Sequence, residues 1–260
     1  MPQFSFLLAK PYEPDKHDII DWWASEKLDG MRAWWDGKDF WSRNGNLIHA
    51  PAWFKASMPT NMMFDGELYM GRGRFQETMS VVRTLVPDER WRKVKYYVFD
   101  APDLGEPEVF ETRLAHLMIR IRRQSCPWLE YIPQIPVKSH EHLMEMAENN
   151  WALGGEGLML RKPKSLYEGK RSSTLLKVKN INDDVALVIG HEPGKGKHEG
   201  RLGALVCAWK GRLFNIGTGF TDKQRETPPE INSAVKFAFT ELTDEGYPRF
   251  PRFLCEEKGD

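Results

Sequence analysis

Cysteine is scarce and dispersed. Cys126, Cys207 and Cys255 are the only three, none in a CxxC pair or beside histidine at metal-ligand spacing, which excludes a disulfide framework and a zinc knuckle. Long apolar runs are missing as well. No stretch approaches the roughly 18 residues of a membrane-spanning helix, and Phe4 to Ala9 is too short, and lacks the basic leader, to act as a signal peptide. The expectation is a soluble cytoplasmic chain with no membrane partner, or a periplasmic one if a leader preceded residue 1. Net charge is the third absence, because 37 Lys and Arg balance 37 Asp and Glu. That removes attraction to polyanions as a property of the whole molecule and leaves only where the cations sit. What is present is ordinary: 260 residues, 41% hydrophobic and 28% charged, suit one large or two modest globular domains and exclude intrinsic disorder.

The cations are unevenly placed. Arg161 to Lys179 holds Arg161, Lys162, Lys164, Lys170, Arg171, Lys177 and Lys179 against Glu168 alone, whereas Asp103 to Glu111 carries Asp103, Glu106, Glu108 and Glu111. A basic run of this kind is either a solvated face or an anion-binding one.

The first half mixes strands and helices without regular βαβ repetition. Met31 to Trp35 and Phe40 to Arg43 read as strands joined by the tight turn Asp36-Gly37-Lys38-Asp39. Trp91 to Asp100 contains the β-branched and aromatic run of a mostly buried strand. Leu114, Leu117, Met118 and Ile121 fall at i, i+3, i+4 and i+7 with arginines off the stripe, predicting a helix. A second helix is expected over about His140 to Asn150, capped by Ser139 and stopped by Gly154-Gly155, with short strands at Gly157 to Arg161 and Leu175 to Lys179. After about Ile181 the chain becomes five short β runs: Val185 to Ile189, Leu202 to Trp209, Leu213 to Gly217, Val235 to Phe239 and Arg249 to Leu254. Thr221 with Gln224 offers a capping box for a brief helix between them. Five antiparallel strands in this space match an OB-type barrel.

Several segments can carry chemistry. Lys27-Leu28-Asp29-Gly30 sets a lysine on a turn beside an apolar strand, and a lysine is a nucleophile only as a neutral amine. A hairpin turn with a surface lysine gives the same four residues. Asp65-Gly66-Glu67 leads a carboxylate into a strand, suited to a ribose hydroxyl or a hard cation, or is an ordinary hairpin. Phe99 is a stacking platform or a core aromatic, and Glu156 stands at the mouth of a buried strand. Strand alternation puts Lys177 and Lys179 on one face, where paired ammonium groups call for water or an anion. Gly194-Lys195-Gly196-Lys197 lacks P-loop spacing and opens no helix, so it reads as a hairpin presenting cations to phosphates or to water.

The set Lys27-Leu28-Asp29-Gly30, Ser42-Arg43, Asp65-Gly66-Glu67, Val98-Phe99-Asp100, Glu156-Gly157 and Lys177-Val178-Lys179, in that order, resembles the motifs of covalent nucleotidyltransferases, specifically ATP-dependent DNA ligases, over nearly the whole chain. Segments 71–76, 191–203 and 214–220 look like the minimal bacterial and viral class, including the small bacterial type called ligase E. The resemblance implies an α+β architecture: a mixed and antiparallel-sheet nucleotidyltransferase (adenylation) domain at 1–181 and a five-stranded OB-fold barrel at 182–260. It implies that Lys27 attacks the α-phosphate of ATP to form lysyl-AMP, that Glu26, Arg32, Arg43, Glu67, Phe99, Lys177 and Lys179 bind the nucleotide, and that Lys177 and Lys179 help depress the Lys27 pKa. Asp29, Glu67 and Glu156 would hold Mg²⁺ or Mn²⁺. Arg72, Arg74, Lys195, Lys197 and Arg201 would contact nicked double-stranded DNA, and the protein is expected to act as a monomer. An RNA ligase, a capping guanylyltransferase and a nucleic-acid-binding module with an impaired active site are the alternatives.

Two departures stand out. Cys255 and Glu257 occupy places where the family carries basic side chains that engage pyrophosphate, with Lys258 as a partial substitute. The loop Thr221 to Pro229 is too short for a long latch hairpin, so an open grip on DNA is expected rather than a closed ring.

Overall fold

In the computed structural model the described residues are 5–102, 107–180, 182–240, 242–243 and 245–257. Asp103, Glu106, Ile181 and Lys258 lie outside them. The chain divides into two compact units, Met1–Lys179 and Asn180–Asp260. No helix among the described residues is long and apolar enough to cross a membrane.

Unit one contains β1 (Leu8–Pro11), β2 (Trp23–Glu26), β3 (Met31–Trp35), β4 (Phe40–Ser42), β5 (Leu47–Ile48), α1 (Ala52–Ala56), β6 (Phe64–Tyr69) and α2 (Phe75–Val82). It continues through β7 (Lys95–Asp100), α3 (Phe110–Arg123), β8 (Leu129–Tyr131), β9 (Ile135–Pro136), α4 (His140–Ala152), β10 (Gly157–Arg161) and β11 (Arg171–Lys179). Two sheets result, ordered β1-β11-β10-β2-β9 and β5-β4-β3-β6-β7-β8. All their pairings are antiparallel except β1 with β11 and β7 with β8.

Local chemistry explains the elements that position the site. Asp36 accepts from the backbone N–H groups of Lys38 and Asp39 at 2.8 and 2.7 Å and from Trp41 Nε1 at 2.7 Å, which closes the β3–β4 hairpin. Ser139 caps α4 by accepting from the His142 N–H at 3.1 Å. The expected strand from Trp91 begins later, at Lys95. Asp88 accepts from the Arg90 N–H and starts a 3-10 turn over Glu89–Lys93, so Trp91 reaches the core from that turn. From Lys95 onward alternation holds, with Tyr96, Val98 and Asp100 buried on one face and Tyr97 and Phe99 on the other.

Burial of Asp100 is compensated by two guanidinium groups. Arg113 donates from Nε at 2.7 Å and Nη2 at 3.1 Å, and Arg161 donates from Nη2 at 2.8 Å. All three residues are buried, and Arg113 Nη1 also donates to the carbonyls of Glu108 and Ser165. The triad ties β7, α3 and β10 together across both sheets.

Unit two contains β12 (Asn182–Pro193), β13 (Leu202–Trp209), β14 (Arg212–Ile216), α5 (Asp222–Glu226), β15 (Ala234–Phe239) and β16 (Arg252–Glu256). They form one sheet, β14-β13-β12-β15-β16, over a core that includes Val188, Leu205, Phe237 and Phe253. The ladder is open rather than a closed barrel: among the described residues its two edges meet through the parallel bridge between Thr218 and Arg252. The Thr221 and Gln224 capping box is formed reciprocally and starts α5.

Removing the Asp100 carboxylate leaves two buried cations without their counter-charge, so Asp100→Ala should lower stability by about 3–5 kcal/mol, read as the shift in a urea-unfolding midpoint. A loss below about 1 kcal/mol would contradict this account of the triad.

Candidate active site

A cavity of about 320 Å³ opens in unit one, with walls from both sheets. Sheet β1-β11-β10-β2-β9 contributes Ser25, Glu26, Met159, Arg161, Lys177 and Lys179, and Lys27 follows β2 directly. The other sheet contributes Arg32 and Phe99, with Glu67 from β6.

Lys27 sits where three strands converge. Its backbone N–H donates to the Gly157 carbonyl at 2.9 Å, extending the ladder one step beyond β2. Its Nζ donates to one Glu156 oxygen, and Lys179 Nζ approaches the other at 2.5 Å. Gly157, at φ +144°, lets the β10 backbone come close to β11 here, since a Cβ there would lie 2.0 Å from the Val178 carbonyl. The expected crowding of Lys27 by cations is therefore mediated by a carboxylate set between Lys27 and Lys179. Those two ammonium groups hold the Glu156 carboxyl below its ordinary range even though burial pushes the other way. Lys177 faces the same cavity opposite Met159, and burial, then Lys179 and Lys27, lower its pKa.

Arg32 and Glu67 lie opposite each other on β3 and β6. The Arg32 guanidinium donates to Asp65 from Nε at 2.9 Å and Nη2 at 2.6 Å, and packs between the rings of Phe6 and Phe99 at 4.9 and 5.4 Å. Burial alone would lower its pKa, but the Asp65 charge overrides that and keeps it cationic. Tyr167 OH donates to the same Asp65 at 2.6 Å and accepts from the Leu7 N–H at 3.2 Å. Among the described residues Glu67 has no comparable partner, and desolvation pushes its pKa up to about 8 despite the opposing pull of Lys27 and Arg32.

Beside the cavity a wider groove of about 810 Å³ shares Arg32, Arg43 and Glu67 with it and continues past Asn44, His49, Phe75 and Arg83. Exposed Arg43, on the turn after β4, stands at the junction. The structure thus brings together Lys27, Arg32, Arg43, Glu67, Phe99, Glu156, Lys177 and Lys179. Asp29 is half-buried on its turn and outside the cavity lining, and among the described residues no three His, Cys, Asp or Glu converge as a metal cage.

Other expected residues have protein partners. Arg72 forks onto Glu26 at 2.7 and 3.0 Å, which also engages the Glu26 carboxylate expected at the nucleotide. Arg74 forks onto Glu77 at 2.7 Å through both nitrogens. In unit two, Lys195 and Lys197 are exposed on the β12–β13 loop, whereas Arg201 turns back toward Asp222 and Glu226 of α5 at 3.4 and 3.6 Å. Cys255 is on β16 and exposed, and the Glu257 N–H donates to the Ala234 carbonyl. Tyr167, Phe6 and Gln134 carry no motif signal, and the motifs give Asp65 and Arg161 no role of their own. Asp65 was findable, because it shares the strand face of Glu67 two residues away.

Residues 8–179 match the family model for the ATP dependent DNA ligase domain, and residues 193–256 match that for the DNA ligase OB-like domain. The chain belongs to the ATP-dependent DNA ligase family. It is 40% identical over 240 residues to a DNA ligase of Haemophilus influenzae, covering 92% of this chain and 88% of that one. Among solved structures it is similar to a Lig E DNA ligase, with TM-score 0.88, 41% identity and coverage of 97% of this chain and 99% of that one. A Chlorella virus DNA ligase-adenylate aligns with TM-score 0.57 and 26% identity over 99% of both chains. Membership of this ligase family brings ATP use and a catalytic fold with an OB-like second domain.

Because the Glu67 pKa is raised on folding, its contribution to stability is full below about pH 4.5 and falls away as pH rises to about 8. Wild-type protein should therefore lose about 3 kcal/mol relative to Glu67→Gln between pH 5 and 8. Parallel pH profiles of unfolding for the two proteins would refute the assignment.

Proposed function

We propose that the chain seals 3′-hydroxyl/5′-phosphate nicks in duplex DNA with ATP, carrying AMP on Lys27 and then on the DNA 5′ end. The observation that carries this is Lys27 Nζ on Glu156, beside Lys177 and Lys179, in a cavity walled by Phe99. In the first step Lys27 Nζ bonds to the α-phosphorus as the bond to pyrophosphate breaks. The attacking amine is neutral, so its proton leaves first, and Glu156 is the group that touches it. Lys177 and Lys179 stabilise charge developing on the phosphoryl oxygens, while Phe99 supplies a ring for the base. AMP then passes to the DNA 5′-phosphate and leaves when the 3′-hydroxyl attacks.

Arg43 sits where the nucleotide cavity meets the adjoining groove, which suits it to the 5′-phosphate. Arg32, fixed by Asp65, orients toward the nucleotide from the opposite wall. The oxygen donors Glu67 and Glu156 fit a hard cation that keeps waters and takes further ligands from phosphates. Glu67 is the better suited, since Glu156 already holds two ammonium groups. Mg²⁺ or Mn²⁺ would neutralise phosphate charge there.

Residues 1–181 would perform the nucleotide chemistry and 182–260 would grip DNA, in a monomer. The three free thiols suit a cytoplasmic setting. Lys195 and Lys197 give the grip charge without base readout.

Incubation with ATP or GTP labelled at the α-phosphate should label wild-type protein from ATP alone and leave Lys27→Ala unlabelled. Stable transfer of GMP, or labelling of the Lys27→Ala protein, would remove the reading. Replacing Lys195 and Lys197 by Ala should reduce the slope of log K against log salt for nicked DNA by about 2. An unchanged slope would take the loop out of the DNA interface.

A further inference from the structure

The sheet under Lys27 forms a graded row across its strands. Lys177 lies opposite Met159, and Met159 lies opposite Ser25. On the far side, Trp23 pairs with Pro136 and Ala24 with Ile135, so the same antiparallel register sets Gln134 opposite Ser25. Residues opposite one another in an antiparallel pair project to the same face, and all four line the cavity. Three strand spacings separate the ends of the row, about 14 Å. A nucleoside monophosphate laid with its phosphate at Lys177 therefore directs its base toward Ser25 and Gln134, with Phe99 on the facing wall.

Gln134 is half-buried on this rim. Its Nε2 donates to the Ile132 carbonyl at 3.4 Å, and Oε1 has no hydrogen-bond partner among the described residues. In that arrangement the free end of the amide is an acceptor, in a cavity otherwise rich in donors. Adenine offers an amine at its 6 position, whereas guanine offers a carbonyl oxygen.

We propose that Gln134 is a base-specificity residue, its Oε1 accepting from the 6-amino group of the bound purine and disfavouring a 6-oxo purine. The proposal rests on the ATP-dependent reaction above and adds the residue that chooses the base. A polar group built to receive a hydrogen bond penalises a ligand that cannot give one, because both are then left unpaired.

The test uses the full chain and measures the second-order rate of Lys27 labelling from three α-labelled triphosphates: ATP, GTP and the 6-unsubstituted purine riboside triphosphate. Wild type should prefer ATP over the 6-unsubstituted analogue by about tenfold. Gln134→Leu should lower the ATP rate about tenfold while changing the analogue rate less than twofold, so the preference disappears. Gln134→Glu, which keeps the acceptor, should keep the preference. Gln134→Lys, which presents a donor, should raise GTP relative to ATP, an outcome that loss of packing alone does not produce. Equal losses on ATP and the analogue, or a preference retained in Gln134→Leu, would overturn the proposal while leaving the ligase reading intact. Wild-type protein that never labels Lys27 would sink the ligase reading itself and this inference with it.

Discussion

One carboxylate held between two ammonium groups organises the candidate active site. Glu156 receives Lys27 on one oxygen and Lys179 on the other, and each of the three belongs to a different strand or strand end of one sheet. The residue after Glu156 is Gly157, whose backbone comes close enough to the Val178 carbonyl to exclude any side chain, so β10 and β11 pair tightly at this corner. With Lys177 alongside, this corner carries three cations and one anion before the nearby Glu67 is counted. Such an imbalance is tolerable at a wall open to water and becomes favourable when a phosphate arrives. The same contact holds Lys27 in place, so little ordering would remain for the proposed reaction to supply.

A second layer of buried charge does a different task. Asp65 and Asp100 are each fully buried, and each holds guanidinium groups: Arg32 on Asp65, Arg113 and Arg161 on Asp100. Because the desolvation of two ions offsets most of their attraction, such pairs are weak sources of net stability and strong determinants of geometry. Here they fix the two elements that flank Phe99. Asp100 anchors the residue next to it from the core side, and Arg32 packs its guanidinium against the ring from below. The Phe99 ring is thus positioned by charges it does not itself carry.

Much of this was legible because it is local. The β3–β4 turn, the Ser139 cap, the helical stripe at Leu114 to Ile121 and the Thr221 capping box each depend on residues within a few positions of one another. The lysine pair on β11 followed from alternation alone. What stayed hidden depends on distant pairing. β1 joins β11 in parallel across about 160 residues, with a shift in register, and nothing in Leu8–Pro11 announces that partner. Tyr167 reaches Asp65 over a separation of 102 residues. Gln134 acquires its place only from the register between β2 and β9, since as a residue in a Pro-rich stretch it looks like a connector. The motif reading of Asp65-Gly66-Glu67 favoured the residue expected at the ribose and overlooked the one that holds Arg32.

Arginine is where sequence and structure diverge most, and magnitudes show why. Arg72 and Arg74 are expected at DNA from the resemblance, and both fork onto glutamates. Their side chains are about a third exposed, so these pairs belong to the class worth about 0–1 kcal/mol. A polyanion's phosphate, which releases counterions on binding, would replace such a partner at small cost. Arg32 has the same fork geometry on a carboxylate with no exposure, and breaking it would leave a bare charge in the core. Identical chemistry therefore yields an exchangeable contact at the surface and a permanent one in the wall of the cavity. Burial separates them, and burial is what a motif by itself does not state.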